Sequence, residues 1–286
     1  MAPVSRTTLI AALVLAGCGR IGFGLGGGAG GGGGGDGNSG GDGASAPDDS
    51  SGTSLIKAIG AGTVTVWDDT VNSSRAVELQ AGTQDGDLLV MHATWAVNFG
   101  TWTAPSLGGW TATVAPWTDP HCNYSASAVY MKVAVAITMM PAAQAICTGY
   151  CVAAIDVFRG IDTTTPFDAI GTPGTTTEPD GCGENVSPQM QVVPGLTTTT
   201  DGDVIVLLYG DNNDNNVPAG TSTQTLPAGF TTLYNDLQDA GGSQDFAGGY
   251  LAQSNAGVVP AQTIVTTNEN LDGWTGVMLA LKPAPP

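Results

Sequence analysis

Two groups of side chains have the types and spacing to bind a ligand, and the first is an oxygen-rich segment. Residues 210–216 read Gly-Asp-Asn-Asn-Asp-Asn-Asn, and Asp211 and Asp214 are the charged members. Ca²⁺ takes about six to eight carboxylate, amide and carbonyl oxygens. The spacing is not that of an EF-hand, because no glutamate follows at the closing position. A solvated loop tip is the alternative, so Asp211 and Asp214 are weak calcium candidates, and no other cofactor is indicated.

The second group is a set of tryptophans between residues 95 and 117. Exposed indoles on extracellular β-domains stack on sugar rings, because they combine apolar area with a polar edge. Trp102 stands between threonines and precedes Ala-Pro, which predicts a loop position and makes it the best candidate platform, with Trp95 and Trp117 as further candidates. We expect Trp110 to lie in the core. Core packing is the alternative interpretation for the whole group.

The histidines do not indicate a catalytic site. The chain contains neither a GxSxG nucleophile elbow nor an HExxH zinc motif. His92 lies inside an apolar run, which predicts a packed strand histidine, and His121 falls in a predicted exposed loop. The sequence therefore predicts no catalytic residue.

The acids are numerous, but most stand in Asp-Gly or Gly-Asp pairs, where the side chain stabilises a turn. Asp87 and Asp203 are predicted to be such residues at the starts of two strands. Asp156 differs because it lies inside an apolar strand, and we expect it to form an ion pair with Arg159 or Arg75.

The charge balance excludes nucleic acid as a partner. Among 286 residues there are 7 Lys+Arg against 25 Asp+Glu, a formal net charge of −18. A phosphate-binding face needs clustered cations, and seven scattered ones do not make such a face. With 42% apolar residues the chain can still build a core.

Residues 1–17 have the pattern of a secretory signal, in which Arg6 precedes an apolar run from Leu9 to Ala16. The following Leu15-Ala16-Gly17-Cys18 resembles the lipobox of bacterial lipoproteins. The resemblance implies lipidation of Cys18 and a membrane anchor in the cell envelope, either in the outer membrane or at the cell surface. An ordinary signal peptide with an incidental cysteine is the alternative.

Residues 18–53 are predicted to be a flexible linker. The stretch from Gly22 to Gly52 is made of Gly, Asp, Ser, Asn and Ala with almost nothing to bury. Glycine loses the most entropy on ordering. A coil of this length reaches about 30 Å, enough to hold a domain clear of lipid headgroups.

Residues 54–286 are predicted to form one all-β domain, an antiparallel sandwich. Apolar or alternating runs such as 87–95, 126–136 and 203–209 are separated by Gly, Pro, Asp and Asn. No window carries a helical stripe. Helical turns are expected only at Ala142–Ala145 and Leu233–Asp239.

The domain contains an ordered internal repeat. Gly86-Asp87 followed by an apolar strand matches Gly202-Asp203, a Gly-Gly-Trp-Thr segment at 108–111 matches Ala-Gly-Phe-Thr at 228–231, and the strands 152–158 and 275–281 close the two series. Neither half buries its apolar face alone. We therefore predict two pseudo-repeats packed into one sandwich.

These motifs, together with the closing Leu-Ala-Leu-Lys-Pro at 279–283, resemble secreted bacterial and phage-associated β-sandwich modules. The resemblance implies a jelly-roll-like domain without defined catalytic residues. It spans about Leu55 to Pro283.

Four cysteines remain once Cys18 is lipidated, an even number that suggests two disulfides in an exported domain. Of three connectivities we favour Cys147–Cys151, which encloses a turn at Gly149, with Cys122–Cys182. A zinc site is the rival, but its ligand spacing is poor.

The sequence therefore predicts a lipid-anchored, non-catalytic binding or adhesion module, with carbohydrate as a candidate ligand. The alternatives are a glycan-active hydrolase on the same scaffold and a structural envelope component. The oligomeric state is left open.

Overall fold

A computed structural model describes residues 56–97, 101–103, 109–122, 124–137, 143–176, 188–213, 223–236, 244–267 and 271–286. The predicted signal segment, Cys18 and the glycine linker lie outside these ranges. Within them the chain forms strands and turns and no α-helix, so the prediction of an all-β, antiparallel sandwich is confirmed. The described residues contain no helix whose length and apolar content would let it cross a bilayer.

The first half of the domain forms one antiparallel sheet. Five of its strands lie in the order β1–β7–β3–β6–β5, and β2 and β4 also pair with β7. Their bounds are β1 Lys57–Ala61, β2 Thr65–Val77, β3 Leu88–Ala96, β4 Thr101–Thr103, β5 Thr111–Thr118, β6 Ser125–Val133 and β7 Ala143–Arg159.

The second half forms a second sheet with the corresponding order β8–β18–β12–β15–β14, and β9 also pairs with β18. Its strands are β8 Phe167–Ile170, β9 Gly174–Thr175, β12 Val204–Asn213, β14 Thr231–Asp236, β15 Gln244–Ala252 and β18 Leu271–Leu281. Each pseudo-repeat therefore builds its own sheet, and the equivalent strands β3 and β12 are flanked by equivalent neighbours in both.

Alternation along the strands explains why the two sheets pack face to face. Leu88 and Val90 of β3 share an apolar cluster with Val204 and Val206 of β12, which fills the space between the sheets. The intervening residues of β3, including Met91, lie in a separate cluster on the other face of the first sheet. Because successive strand side chains point to opposite faces, each sheet is apolar on both sides.

Short strands cover the outer face of the second sheet. They form a three-stranded sheet, β10–β17–β13, and a two-stranded pair, β11–β16. Their bounds are β10 Gln189–Val193, β11 Leu196–Thr197, β13 Thr223–Thr225, β16 Val258–Val259 and β17 Gln262–Thr267. Val193 and Ile264 from this layer pack against Leu207 and Met278 of the sheet below. This covering layer explains how both faces of the second sheet are buried.

The prediction of two helical turns is wrong for the residues of each that the structure describes. Residues 143–145 belong to β7, and Leu233 to Asp236 belong to β14. Pairing of β14 with β15 supplies its backbone hydrogen bonds, and such tertiary pairing overrides local propensity.

The predicted disulfide between Cys147 and Cys151 is confirmed, with 6.4 Å between the Cα atoms. Both cysteines lie within the continuous strand β7, so they enclose three residues of one strand rather than a turn between two strands. Gly149 at their centre has a φ of 91°, a conformation that favours glycine. Cys122 is disulfide-bonded, and Cys182, its predicted partner, lies outside the described residues.

Candidate functional site

The strands β3 and β12 begin at the same end of the sandwich, which we call the turn end. In the first repeat the residue before β3 is Asp87, which is buried. Its carboxylate accepts hydrogen bonds of 2.8 Å from both Nε and Nη2 of Arg159 and one of 2.7 Å from the backbone N–H of Gln84. Asp87 is therefore a turn residue, as predicted, and its charge is balanced by a bidentate arginine.

The second repeat lacks this balance. Asp203 holds the position of Asp87 and is fully buried. Lys282 holds the position of Arg159, because Phe158 pairs with Leu88 in the first sheet as Leu281 pairs with Val204 in the second. The Lys282 ammonium, however, lies 3.6 Å from Asp162. Neither oxygen of Asp203 accepts a hydrogen bond from a donor group in the described part of the chain.

A second acid, Asp168 of β8, lies beside Asp203. Burial raises the pKa of Asp203 to about 7, and the negative charge of Asp168 adds to this effect. Burial also acts to raise the pKa of Asp168, but hydrogen bonds from Thr199 and Thr200 outweigh it and lower that pKa to about 2. One member of the pair is therefore ionised at neutral pH while the other is half protonated.

A cavity of about 650 Å³ opens at this turn end. Three charged side chains line it, Asp162, Asp201 and Lys282, together with the hydroxyls of Thr200 and Ser254. Prolines 283, 285 and 286 supply the apolar part of the wall. Volumes of about 300–1,000 Å³ with a few placed polar groups are typical of small-ligand sites.

The tryptophans largely pack against each other. Trp95 is 9% exposed, and its ring stacks on Trp102 with centroids 6.3 Å apart. Trp102 also meets Trp67 edge to face at 5.5 Å. Trp102 and Trp117 are half-buried. Trp95 therefore lies in the core, as the alternative interpretation of the tryptophans predicted. Trp102 exposes only part of its indole to solvent. Trp110 packs half-buried on the same cluster, close to its predicted core position.

Asp211 does not lie in a loop tip but inside β12, where it is fully buried. Its neighbour across the β12–β15 pair is Asp245, which is also fully buried. Asp214 lies outside the described residues. No group of three or more His, Cys, Asp or Glu side chains positioned for a metal occurs within the described ranges. The alternative of a zinc site therefore has no candidate ligand cluster among these residues.

The predicted ion pair of Asp156 with Arg159 or Arg75 is wrong. Arg159 binds Asp87, and the Arg75 guanidinium donates to the carbonyl of Val66. Asp156 is fully buried between the sheets, with neither carboxylate oxygen hydrogen-bonded within the described residues. Burial raises its pKa well above the usual value, which favours the protonated, neutral form of Asp156 over an ion pair.

His92 is packed inside its strand, as predicted. Its ring stacks on Phe246 with centroids 4.6 Å apart, and its Nδ1 lies 3.3 Å from the hydroxyl of Tyr234. Burial lowers the pKa of His92 to about 3, so the imidazole is neutral and serves packing between the two sheets. His121, in contrast, is exposed, as expected.

The acid pair at the turn end was missed by sequence reasoning, which treated Asp203 only as a turn residue. A signal was present in the internal repeat. The basic residue that closes the first repeat is an arginine and the one that closes the second is a lysine, and the two are not equivalent as partners of a buried carboxylate. Asp168 carried no such signal, because its proximity to Asp203 depends on how β8 joins the sheet.

Comparison with known proteins found no protein-family model, no curated protein and no solved structure that matches this chain.

Proposed function

We propose that the chain is a lipid-anchored, non-catalytic binding module of the bacterial cell envelope, and that its turn-end cavity takes a polyhydroxylated ligand such as a glycan. The observation that carries this proposal is the cavity of about 650 Å³ itself, with its mixed wall. Carboxylates accept hydrogen bonds from sugar hydroxyls and the lysine donates to them. The proline rings offer apolar area to the faces of a sugar.

The anchor part of the proposal rests on the Leu-Ala-Gly-Cys segment ending at Cys18 and on the glycine-rich linker that follows it. A linker of that length would hold the turn-end cavity away from the membrane, where ligands can reach it. Trp102, half-buried beside Trp95, is retained as a second contact for a sugar ring.

The binding site is tested by a glycan array with wild-type protein and the Lys282→Met and Asp201→Asn variants. Both variants should lose most of the retained glycan signal. Asp85→Asn is the matched control: Asp85 accepts a backbone hydrogen bond from Ile137 as Asp201 does from Ala256, but it holds the turn of the first repeat, away from the cavity lining. Equal retention by all four proteins would remove the cavity as the binding site.

A glycan hydrolase is the second candidate, and the adjacent acids Asp168 and Asp203 are the observation that favours it. Their pKa values of about 2 and about 7 are those of a base and an acid working at neutral pH. A substrate must reach the catalytic acid, and Asp203 is fully buried. We therefore rank the binding function ahead of the hydrolase. Release of reducing sugar by wild-type protein but not by Asp203→Asn would reverse this order.

A further inference from the structure

Asp211 and Asp245 form a second acidic site, at the opposite end of the second sheet from the cavity. The two residues are register partners in the antiparallel pair β12–β15, so their side chains leave the same face of the sheet, with Cα atoms about 5 Å apart. Both residues are 0% exposed. Trp274, the partner of Asp211 on the other flanking strand, packs on the same outer face of the second sheet.

The hydrogen bonds of Asp211 leave one oxygen unused. The hydroxyl of Tyr209 donates to Oδ2 at 2.6 Å, and the backbone N–H of Asp245 also donates to this carboxylate. The other oxygen, Oδ1, is buried and has no hydrogen-bond partner among the described residues. A buried acceptor left without a partner costs about 1–3 kcal/mol, and more when it is charged. The buried, unpartnered Oδ1 therefore favours a bound cation independently of the short distance between the two acids.

Two buried carboxylates side by side repel each other, and a cation or a proton between them offsets that repulsion. Burial raises the pKa of Asp211 well above its usual value, and the charge of Asp245 adds to that rise. The chain as a whole carries 25 acids against 7 Lys and Arg, so it attracts cations from solution. The two carboxylates are hard oxygen donors of the kind that Ca²⁺ prefers.

We propose that Asp211 and Asp245 bind one divalent cation, of which Ca²⁺ is the fitting one, through the free Oδ1 of Asp211 and the carboxylate of Asp245. Backbone carbonyls and water complete the shell, as they do in other calcium sites. The ion would join β12 to β15 and cancel the repulsion between the two acids. With so few charged protein ligands, a dissociation constant of about 0.1–1 mM is expected, the range of extracellular calcium modules. This proposal is independent of the turn-end cavity and of the function assigned to it.

Thermal unfolding with CaCl₂ and with EDTA tests the proposal on the protein without its signal segment. The wild-type melting temperature should rise by about 3–8 °C in 10 mM CaCl₂, and the Asp211→Asn and Asp245→Asn variants should not respond. Both variants should melt in EDTA at or above the wild-type temperature, because each removes one of two repelling charges. Asp203→Asn is the matched control, a buried acid at the other end of the sheet, and it should keep the full calcium response.

Terbium gives a second readout that does not depend on stability. Tyr209 and Trp274 stack at 6.1 Å beside the proposed site and should sensitise the emission of a bound Tb³⁺ ion. Emission should be lost in Asp211→Asn and weakened in Trp274→Phe, while Trp274→Phe keeps its calcium response in melting. A calcium response shared equally by all variants would overturn the proposal, because it would come from a site elsewhere on the chain. No response in wild type together with no terbium emission would also overturn it, in favour of a shared proton.

Discussion

Replacement of Asp203 by asparagine should stabilise the protein, although it removes a charge from a buried turn. The wild-type carboxyl lies beside Asp168 and lacks the arginine that its counterpart Asp87 has. Folding therefore raises its pKa from 3.8 to about 7. Because the folded state holds the proton more tightly than the unfolded chain, the free energy of unfolding falls as pH rises from about 4 to about 7 and is level above that.

The size of the effect follows from the pKa change. A shift of this size corresponds to at most about 4 kcal/mol. The Asp203 side chain is buried, but the two residues before it, Asp201 and Gly202, line the open cavity. Solvent in that cavity screens the carboxylate and reduces the effect to about 1–2 kcal/mol. The asparagine side chain of the variant carries no charge, as the protonated acid carries none. The variant and wild type should therefore be equally stable at pH 4 and differ by that amount at pH 8.

Urea unfolding at pH 4, 6 and 8 measures this difference. Asp87→Asn is the control at the equivalent position, and it should be destabilised at pH 8, because it leaves Arg159 without its carboxylate. An Asp203→Asn variant less stable than wild type at pH 8, or equally shifted at every pH, would refute the assignment of Asp203 as an uncompensated acid.

Three further predictions address the repeat, the disulfide and the anchor. Lys282→Arg should give Asp203 the bidentate partner that Asp87 has, and raise the melting temperature at pH 8 but not at pH 4; a rise at both values would point to another cause. Cys147→Ser with Cys151→Ser should lower the free energy of unfolding by about 2 kcal/mol, as expected for a small closed loop, measured by urea unfolding against the oxidised wild type; unchanged stability would contradict a structural role. Cys18→Ser should move the protein from the membrane to the soluble fraction on cell fractionation, and continued sedimentation with membranes would exclude lipidation as the anchor.

Much of the fold was predictable because it depends on local pattern. Alternating apolar residues define strands such as β3 and β12, and the Gly-Asp pairs before Leu88 and Val204 define where each begins. Their repetition at 86–87 and 202–203 predicted two halves, and the structure shows one sheet from each half in the same strand order. The disulfide between Cys147 and Cys151 was predictable for the same reason, since only three residues separate the two cysteines.

The candidate sites were not predictable in this way, because they depend on which strands become neighbours. The sequence places Arg159 three residues from Asp156, yet strand register brings it to Asp87, 72 positions away. Asp211 was expected beside Asp214 in a loop, whereas the β12–β15 pair sets it against Asp245. Residue types and their alternation therefore determine which face of a strand is buried. Only the packing of distant strands decides which buried charge meets a partner and which is left without one, because burial makes every carboxylate costly and only its three-dimensional neighbours can offset that cost.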